Sequence, residues 1–269
     1  MLNTIPILRN MGARCPMAEG LRLNKALADA GVCARRKADE LIFAGQITVN
    51  GQVADSPGIR VIPGKDIIGV QGREMKLAVP GRETCCLLLN KPVQVVSTVS
   101  DPQGRSTVLD YLPPQWRKLR LYPIGRLDYF SEGLILLTDD GNLAHAASHP
   151  SSHLAKVYRI LLRQVPDEML NKALVAMRSG MTLAEGDKLA PVKVTRQPDQ
   201  NGKICLEMTL IQGVNRQIRR MFRDMNLTIL RLERISQGPI KLGGLKPGQV
   251  RSLTAEELQK LCKQLQIKG

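Results

Sequence analysis

Apolar residues recur at helical spacing near the start of the chain and then alternate with polar ones. In LRLNKALADAG, Leu23 and Leu27 lie one helical turn apart, and the apolar residues of ARRKADELIFAG also share one face. QITVNGQVA alternates around the dipeptide Asn50-Gly51, which is typical of a β-hairpin turn. The pattern predicts a small unit over residues 21–70, with two short helices followed by short strands.

A charged, turn-rich linker is predicted over residues 71–83, and a longer unit over residues 84–265. Strand patterns in this unit occur in CCLLLNKPVQVVSTV, LYPIGRLDYFSEGLILLT, AKVYRILL, APVKVTRQ and KICLEMTLI. PDEMLNKALVAMRSG, NRQIRRMFRDMN and TAEELQKLCKQLQ show helical spacing, and Thr254 with Glu257 predicts a capping box. Because strands outnumber helices without alternating with them, we expect an α+β fold with a mainly antiparallel mixed sheet.

Charge narrows the possible partners. The chain has 39 Lys and Arg against 24 Asp and Glu, a net charge of +15, and a pI near 9.9. Such an excess favours a polyanion, above all nucleic acid. One Trp, four Tyr and three Phe are too few for a broad base-stacking platform.

The remaining composition indicates a cytoplasmic protein. Six cysteines without a C-x-x-C pair predict free thiols in a reducing compartment. No run approaches the roughly 20 apolar residues that span a bilayer. Residues 1–20 lack the apolar core of a signal peptide, so we expect a disordered extension there, or a start at Met17.

Basic residues concentrate in two places. In the first unit they recur on both predicted helices, which favours RNA backbone contact over a merely solvated face. On NRQIRRMFRDMN, four arginines lie on the face opposite the apolar residues. Like charges this close weaken an isolated helix, so we expect phosphates, a buried carboxylate, or both, nearby.

Acidic residues and histidines offer candidate chemistry. Asp128 precedes the aliphatic run of GRLDYFSEGLILLTDDG, either as a structural carboxylate that fixes a loop or as a catalytic one. Asp139–Gly141 is typical of a turn that ends the strand. His145, His149 and His153 are spaced by four, but Pro150 interrupts any continuous helix, so no metal site is predicted.

Two resemblances cover nearly all of the chain beyond the extension. RLNKALADAGVCARRKADELIFAGQITVNGQVA resembles the S4 RNA-binding module, although Ala34 stands where that family often has a capping Ser. NKPVQVVST, PIGRLDYFSEGLILLT, KVYRI and QGVNRQIRRMF resemble, in this order, the motifs of RsuA-type pseudouridine synthases, which act on ribosomal RNA. The resemblance implies an S4 domain followed by a pseudouridine synthase domain. It also implies isomerisation of uridine, which conserves all atoms and needs no cofactor.

The resemblance assigns roles by position. Asp128 corresponds to the catalytic aspartate, Tyr158 to a tyrosine that stacks on the target base, and Arg219 to an arginine that pairs with the aspartate. Whether Asp128 attacks C1′ or removes a sugar proton stays open. Gln94 departs from the commoner NKP-x-G pattern, which affects a turn and no catalytic group. The expected RNA contacts are Arg22, Lys25, Arg35, Arg36, Lys37, Lys91, Arg126, Asn215, Arg216 and Arg220.

The target RNA rests on fewer residues. GVNRQIRRM is similar to the large-subunit, RluB-like branch, whereas the small-subunit branch tends to have Tyr-His in place of Asn215-Arg216. We therefore expect the protein to act on 23S rRNA, with 16S rRNA as the second candidate. Its substrate is expected to be either naked rRNA or a ribosome-assembly intermediate, and the protein itself is expected to be a monomer. Two rivals remain: a non-catalytic RNA-binding or ribosome-assembly protein, and a metal-dependent nuclease using Asp128 with Asp139 and Asp140.

Overall fold

The computed structural model describes residues 20–77 and 84–267. The predicted extension up to residue 19 and residues 78–83 of the predicted linker lie outside the described residues. The chain divides into two compact units, and the second runs from Cys85 to Ile267.

The first unit packs two helices on a small sheet. Its elements are β1 (Leu21–Arg22), α1 (Leu23–Asp29), α2 (Arg35–Phe43), β2 (Ile47–Val49), β3 (Gln52–Val53), β4 (Arg60–Val61), β5 (Ile67–Val70) and β6 (Arg73–Lys76). An antiparallel sheet has the order β3-β2-β5-β6, and β1 pairs with β4. The predicted hairpin is confirmed, since Asn50 and Gly51 adopt φ angles of 50° and 81° between β2 and β3.

The predicted linker begins inside this sheet, which corrects the boundary. β6 pairs antiparallel with β5, and Gln71 and Gly72 form the turn between them with φ angles of 49° and 81°. This strand has no signal in the sequence because Arg73 to Met75 are exposed and mostly charged.

The second unit surrounds one large sheet. Its elements are β7 (Cys86–Lys91), α3 (Pro114–Arg117), β8 (Tyr122–Ile124), β9 (Glu132–Thr138), α4 (Gly141–Ser148), β10 (Lys156–Leu162), α5 (Asp167–Ser179), β11 (Met181–Thr182), β12 (Lys188–Leu189), β13 (Lys193–Gln200), β14 (Lys203–Leu210), α6 (Gln217–Asp224), β15 (Ile229–Gln237), β16 (Ile240–Lys241), β17 (Val250–Ser252) and α7 (Ala255–Gln264). Within residues 84–267 the sheet has nine strands, in the order β13-β14-β10-β15-β9-β7-β17, with β16 beside β15 and β8 beside β9. β9 and β15 are parallel and the other neighbours in this described sheet antiparallel, which confirms the mixed sheet.

The central strands are buried on both faces. In β9, Ile135 and Leu137 join the main core, to which α5 and α6 contribute, whereas Leu134 and Leu136 join a second core with α4 and α7. A strand covered by helices on both sides needs apolar residues at every position rather than at alternate ones. The continuous aliphatic run after Asp128 is therefore the centre of the sheet.

Several local predictions are tested by the same elements. α5, α6 and α7 form as expected, and α7 has the predicted capping box between Thr254 and Glu257. β9 ends at Thr138, as predicted for the turn at Asp139–Gly141. Gly141, however, already belongs to α4, and the Asp140 carboxylate accepts from the backbone N–H groups of the first turn of this helix. α4 ends at Ser148, before Pro150, so the predicted break in the helix is confirmed.

Two other expectations concern the whole chain. None of the helices within residues 20–77 and 84–267 is long and apolar enough to cross a bilayer. Cys86 and Cys205 are buried free thiols, and Cys15 lies outside the described residues.

Candidate active site

Asp128 lies in the loop between β8 and β9, and hydrogen bonds fix this loop on both sides of it. The Ser97 hydroxyl donates to the Leu127 carbonyl at 3.0 Å and accepts from the Leu127 N–H at 3.1 Å. The Ser131 N–H donates to the Asp128 carbonyl at 3.0 Å. Because β9 begins at Glu132 in the middle of the sheet, the carboxylate is held on a rigid support.

A second turn supports the same loop. The Gln94 N–H donates to the Tyr129 carbonyl at 2.7 Å, and Gln94 has a left-handed φ of 62°. The position that departs from NKP-x-G thus keeps the backbone conformation that glycine adopts most easily. The expected effect on a turn, without loss of a catalytic group, is consistent with this geometry.

Arg219 joins the loop to α6. Its Nη2 donates to the Phe130 carbonyl at 2.7 Å and to the Ser131 hydroxyl at 3.0 Å. Its Nε lies 3.7 Å from Asp128 Oδ2, and this buried nitrogen has no hydrogen-bond acceptor within the described residues. Burial lowers the pKa of Arg219. The charge of Asp128 opposes this shift, and the charge of Arg216 adds to it. A guanidinium nevertheless stays charged, so a cationic donor points towards the carboxylate.

The carboxylate opens into a cavity of about 220 Å³. The Asp128 side chain is 36% exposed, and the Arg219 side chain is 21% exposed. The wall consists of Val96, Ser97, Arg105, Arg126, Leu127, Asp128, Tyr129, Phe130, Arg216 and Arg219. This volume equals that of about seven water molecules, which suits one ring of a nucleobase. One acid among four arginines is suited to a small neutral ring attached to phosphates.

The aspartates of the nuclease alternative have structural partners instead. Asp139 Oδ1 accepts from the Cys85 N–H at 2.9 Å, and Asp140 caps α4. In the part of the chain that the structure describes, no group of three His, Cys, Asp or Glu side chains could hold a metal ion.

The RNA pseudouridylate synthase family matches residues 86–224, and the S4 domain matches residues 21–67. The chain belongs to the RNA pseudouridylate synthase family. Ribosomal large subunit pseudouridine synthase B of Bacillus subtilis strain 168 is 39% identical over 244 residues, which are 89% of this chain and 95% of that protein. An uncharacterized RNA pseudouridine synthase of Aquifex aeolicus strain VF5 is 38% identical over 252 residues, 92% and 96% of the two chains.

A solved structure agrees with this assignment. A crystal structure of pseudouridylate synthase superposes with a TM-score of 0.60 at 26% identity, covering 90% of this chain and 99% of that one. The resemblance found in the sequence is thereby confirmed, and the protein is an RNA-binding pseudouridine synthase with an N-terminal S4 domain.

Tyr158 does not line the cavity of the synthase. It lies on β10, between Met208 of β14 and Arg234 of β15, and it is 9% exposed within the main core. The structure thus brings Asp128, Arg219, Arg126 and Arg216 together and leaves the predicted stacking residue in the core. Its role in stacking stays a prediction.

Lys91, predicted to contact RNA, has its side chain inside the protein instead. The side chain is fully buried at the end of β7, and its ammonium donates to the carbonyls of Pro92 at 2.7 Å and Val95 at 2.8 Å. Burial lowers its pKa to about 8, against opposing effects of Glu132 and Asp128. Lys91 therefore holds the turn that carries Gln94, and so supports the loop that carries Asp128.

Arg220 also differs from its prediction. Its guanidinium pairs with Glu185 at 3.1 Å and with Asp187, both in the loop between β11 and β12. Arg223 pairs with Glu185 as well. The acceptor expected for the arginine face of α6 thus exists as carboxylates of the synthase itself, and Arg220 is not free for RNA. Asn215 is exposed, and its carbonyl accepts from Arg220 at 3.3 Å.

In the S4 unit the predicted cations remain at the surface. Arg22, Arg35, Arg36 and Lys37 are exposed, although Lys37 pairs with Glu40 and the half-buried Lys25 pairs with Asp29. α2 begins with Arg35, Arg36 and Lys37, and it has neither a side-chain cap nor an acidic residue in its first turn. Cations at a helix N-terminus oppose its dipole, so an external anion would stabilise this arrangement.

Sequence reasoning missed Ser97, which fixes the Asp128 loop, and Glu185, which pairs with arginines of α6. Ser97 and Glu185 act through partners 30 and 38 residues away, and no spacing rule links such positions. Tyr129 and Phe130 directly follow Asp128. In a chain with so few aromatic residues, that adjacency was a usable signal.

Proposed function

We propose that the synthase isomerises a uridine of ribosomal RNA, with 23S rRNA as the first expectation, and that Asp128 is its catalytic carboxylate. The observation that carries the proposal is the Asp128–Arg219 pair at 3.7 Å on a loop fixed at four consecutive residues. The name of the Bacillus subtilis relative supports the large ribosomal subunit as the source of the RNA.

The reaction breaks the N1–C1′ bond of uridine, turns the base, and joins C5 to C1′. The proton on C5 is released and N1 gains one, so the product is an isomer and no electrons are transferred. The uridine must first leave its stack, which costs a few kcal/mol. Arg126 and Arg216 at the cavity wall are suited to its phosphates, and Arg219 fixes the carboxylate against the sugar.

The test uses rRNA from cells that lack the synthase, complemented with wild type or Asp128→Asn. Pseudouridines are mapped by carbodiimide-dependent stops of reverse transcription. We expect one 23S site to disappear and only wild type to restore it. Restoration by Asp128→Asn would refute the role of Asp128, and a lost 16S site would replace the proposed substrate.

A second arm separates the rival activities. Purified synthase acts on unmodified 23S transcripts with tritium at uridine C5, so each isomerisation releases tritium to water. We expect Asp128→Asn to lower the rate by about 10³-fold or more, and a chelator to have no effect. Absence of release, together with shortening of the RNA that the chelator prevents, would favour the nuclease. RNA binding without release would favour the non-catalytic protein.

A further inference from the structure

Phe130 is 60% exposed, although it lies two residues from the catalytic aspartate and lines the same cavity. We propose that Phe130 stacks on a base next to the target uridine and covers the face that this uridine leaves. The inference rests on the proposed reaction at Asp128, because it takes the cavity as the place of the extruded uridine. Phe130 then contacts the part of the RNA that stays outside the cavity.

The exposure of this ring is built into a fixed backbone. The Phe130 carbonyl accepts from Arg219 at 2.7 Å, and the preceding Tyr129 carbonyl accepts from the Gln94 N–H at 2.7 Å. A large apolar ring in water costs free energy in proportion to its exposed area. Because the backbone is held on both sides, the ring cannot escape this cost by folding into the core, and a ligand that covers it is favoured.

Neighbouring side chains also orient the ring. The rings of Phe130 and Tyr129 meet edge to face, with centroids 5.0 Å apart and planes at 78°. The Arg105 guanidinium lies 5.9 Å from the Tyr129 centroid and is fixed by a two-pronged pair with Asp101, at 2.7 and 3.0 Å. An aromatic side chain that is already oriented loses little conformational freedom on binding.

The surroundings identify a nucleobase as the partner. Arg126 and Arg216 line the same cavity and suit the phosphates on either side of a nucleotide. An aromatic ring beside cations is how proteins bind unstacked bases, and it works with any base because each has a π face. When a uridine leaves its stack, its neighbours expose such faces. Because Phe130 lines the cavity and yet is 60% exposed, it is available to these neighbours beside the uridine.

The experiment measures single-turnover kcat/KM on an RNA hairpin around the uridine identified by mapping. Three substrates are used: the intact hairpin, and two in which the base 5′ or 3′ of the target is replaced by an abasic residue. Wild type is compared with Phe130→Ala, Phe130→Tyr, and Val175→Ala, a control that removes exposed apolar surface from α5. Melting temperatures verify that each variant folds.

We expect Phe130→Ala to lower kcat/KM about tenfold or more on the intact hairpin, while Phe130→Tyr and Val175→Ala stay within about twofold of wild type. On the hairpin without the contacted neighbour, wild type itself should fall and Phe130→Ala should add less than about twofold. An equal loss on all three substrates would overturn the proposal, because the ring would then act through the protein. No loss on the intact hairpin would overturn it as well. Wild-type turnover of the intact hairpin tests the proposed function separately.

Discussion

Basic residues in the two units of the synthase serve different purposes. In the catalytic unit, Lys91 is fully buried and Arg219 is 21% exposed, and both donate to backbone carbonyls. In the S4 unit, Arg35 and Arg36 are exposed at the start of α2. A buried cation acts strongly at a fixed distance, whereas an exposed one is screened by salt and acts on a polyanion collectively. The first pair builds the site, and the second is available to RNA.

The largest expected effect comes from Arg219→Lys, which keeps the charge but removes the fork of donors. A lysine ammonium cannot reach Asp128, the Phe130 carbonyl and the Ser131 hydroxyl together. We expect kcat/KM for tritium release to fall about 10²- to 10³-fold, with RNA affinity changed about twofold or less.

Arg223→Lys is the matched control, one turn along α6 and 55% exposed. It should change kcat/KM by about twofold or less. If Arg219→Lys also kept nearly full activity, charge alone would be sufficient and the distinction between building the site and binding RNA would be lost.

Lys91→Met tests the buried cation through pH. The folded-state pKa of Lys91 is about 8, below the ordinary 10.5. Below pH 8 both states hold the proton, and this group adds no pH dependence. Between about pH 8 and 10.5 the unfolded chain holds the proton and the folded chain releases it, so the free energy of unfolding rises with pH, by at most about 1.4 kcal/mol per unit.

The measurement is the difference in urea unfolding free energy between wild type and Lys91→Met at several pH values, which cancels other titrations. We expect the difference to grow in favour of wild type across that window, by up to about 3 kcal/mol. Lys172→Met, exposed on α5, should give a flat difference. If the difference for Lys91→Met were also independent of pH, the two carbonyl partners of Lys91 would keep its ammonium protonated in the folded state across this window.

These examples show which parts were predictable. The helices, the Asn50-Gly51 hairpin and the aliphatic centre of the sheet follow from local spacing, and the four ordered motifs located Asp128 and Arg219. Local rules could not foresee that Lys91 points into the protein or that Arg220 meets Glu185, because both outcomes depend on how distant segments pack. The same limit applies to Tyr158, whose place in the core depends on the pairing of β10 with two distant strands.

The double substitution Arg35→Ala/Arg36→Ala addresses the exposed cations. We expect the affinity for rRNA transcripts to fall about tenfold at low salt, and the slope of log K against log salt to decrease by about 1.5 to 2. Folding should be unaffected or slightly improved, since two cations leave the N-terminus of α2. Fluorescence anisotropy at several salt concentrations measures the affinity for the rRNA transcripts and the slope.

The control is Lys172→Ala/Lys203→Ala, which removes the same charge from exposed positions of the catalytic unit. An equal loss of slope for both pairs would mean that RNA responds to net charge and not to the surface of the S4 unit.

The smallest expected effect concerns the turn that Lys91 holds. Gln94 has a φ of 62° and its side chain is exposed, so its backbone N–H, which donates to Tyr129, is its contribution to the loop. Glycine adopts this conformation without strain but has a more flexible unfolded state, so Gln94→Gly should raise the free energy of unfolding by only about 0.5 to 1 kcal/mol. Gln94→Ala keeps the strain and should bring no gain in urea unfolding. Because the N–H remains, tritium release should stay within about twofold of wild type for Gln94→Gly; a larger loss would show that the glutamine side chain itself contacts the RNA.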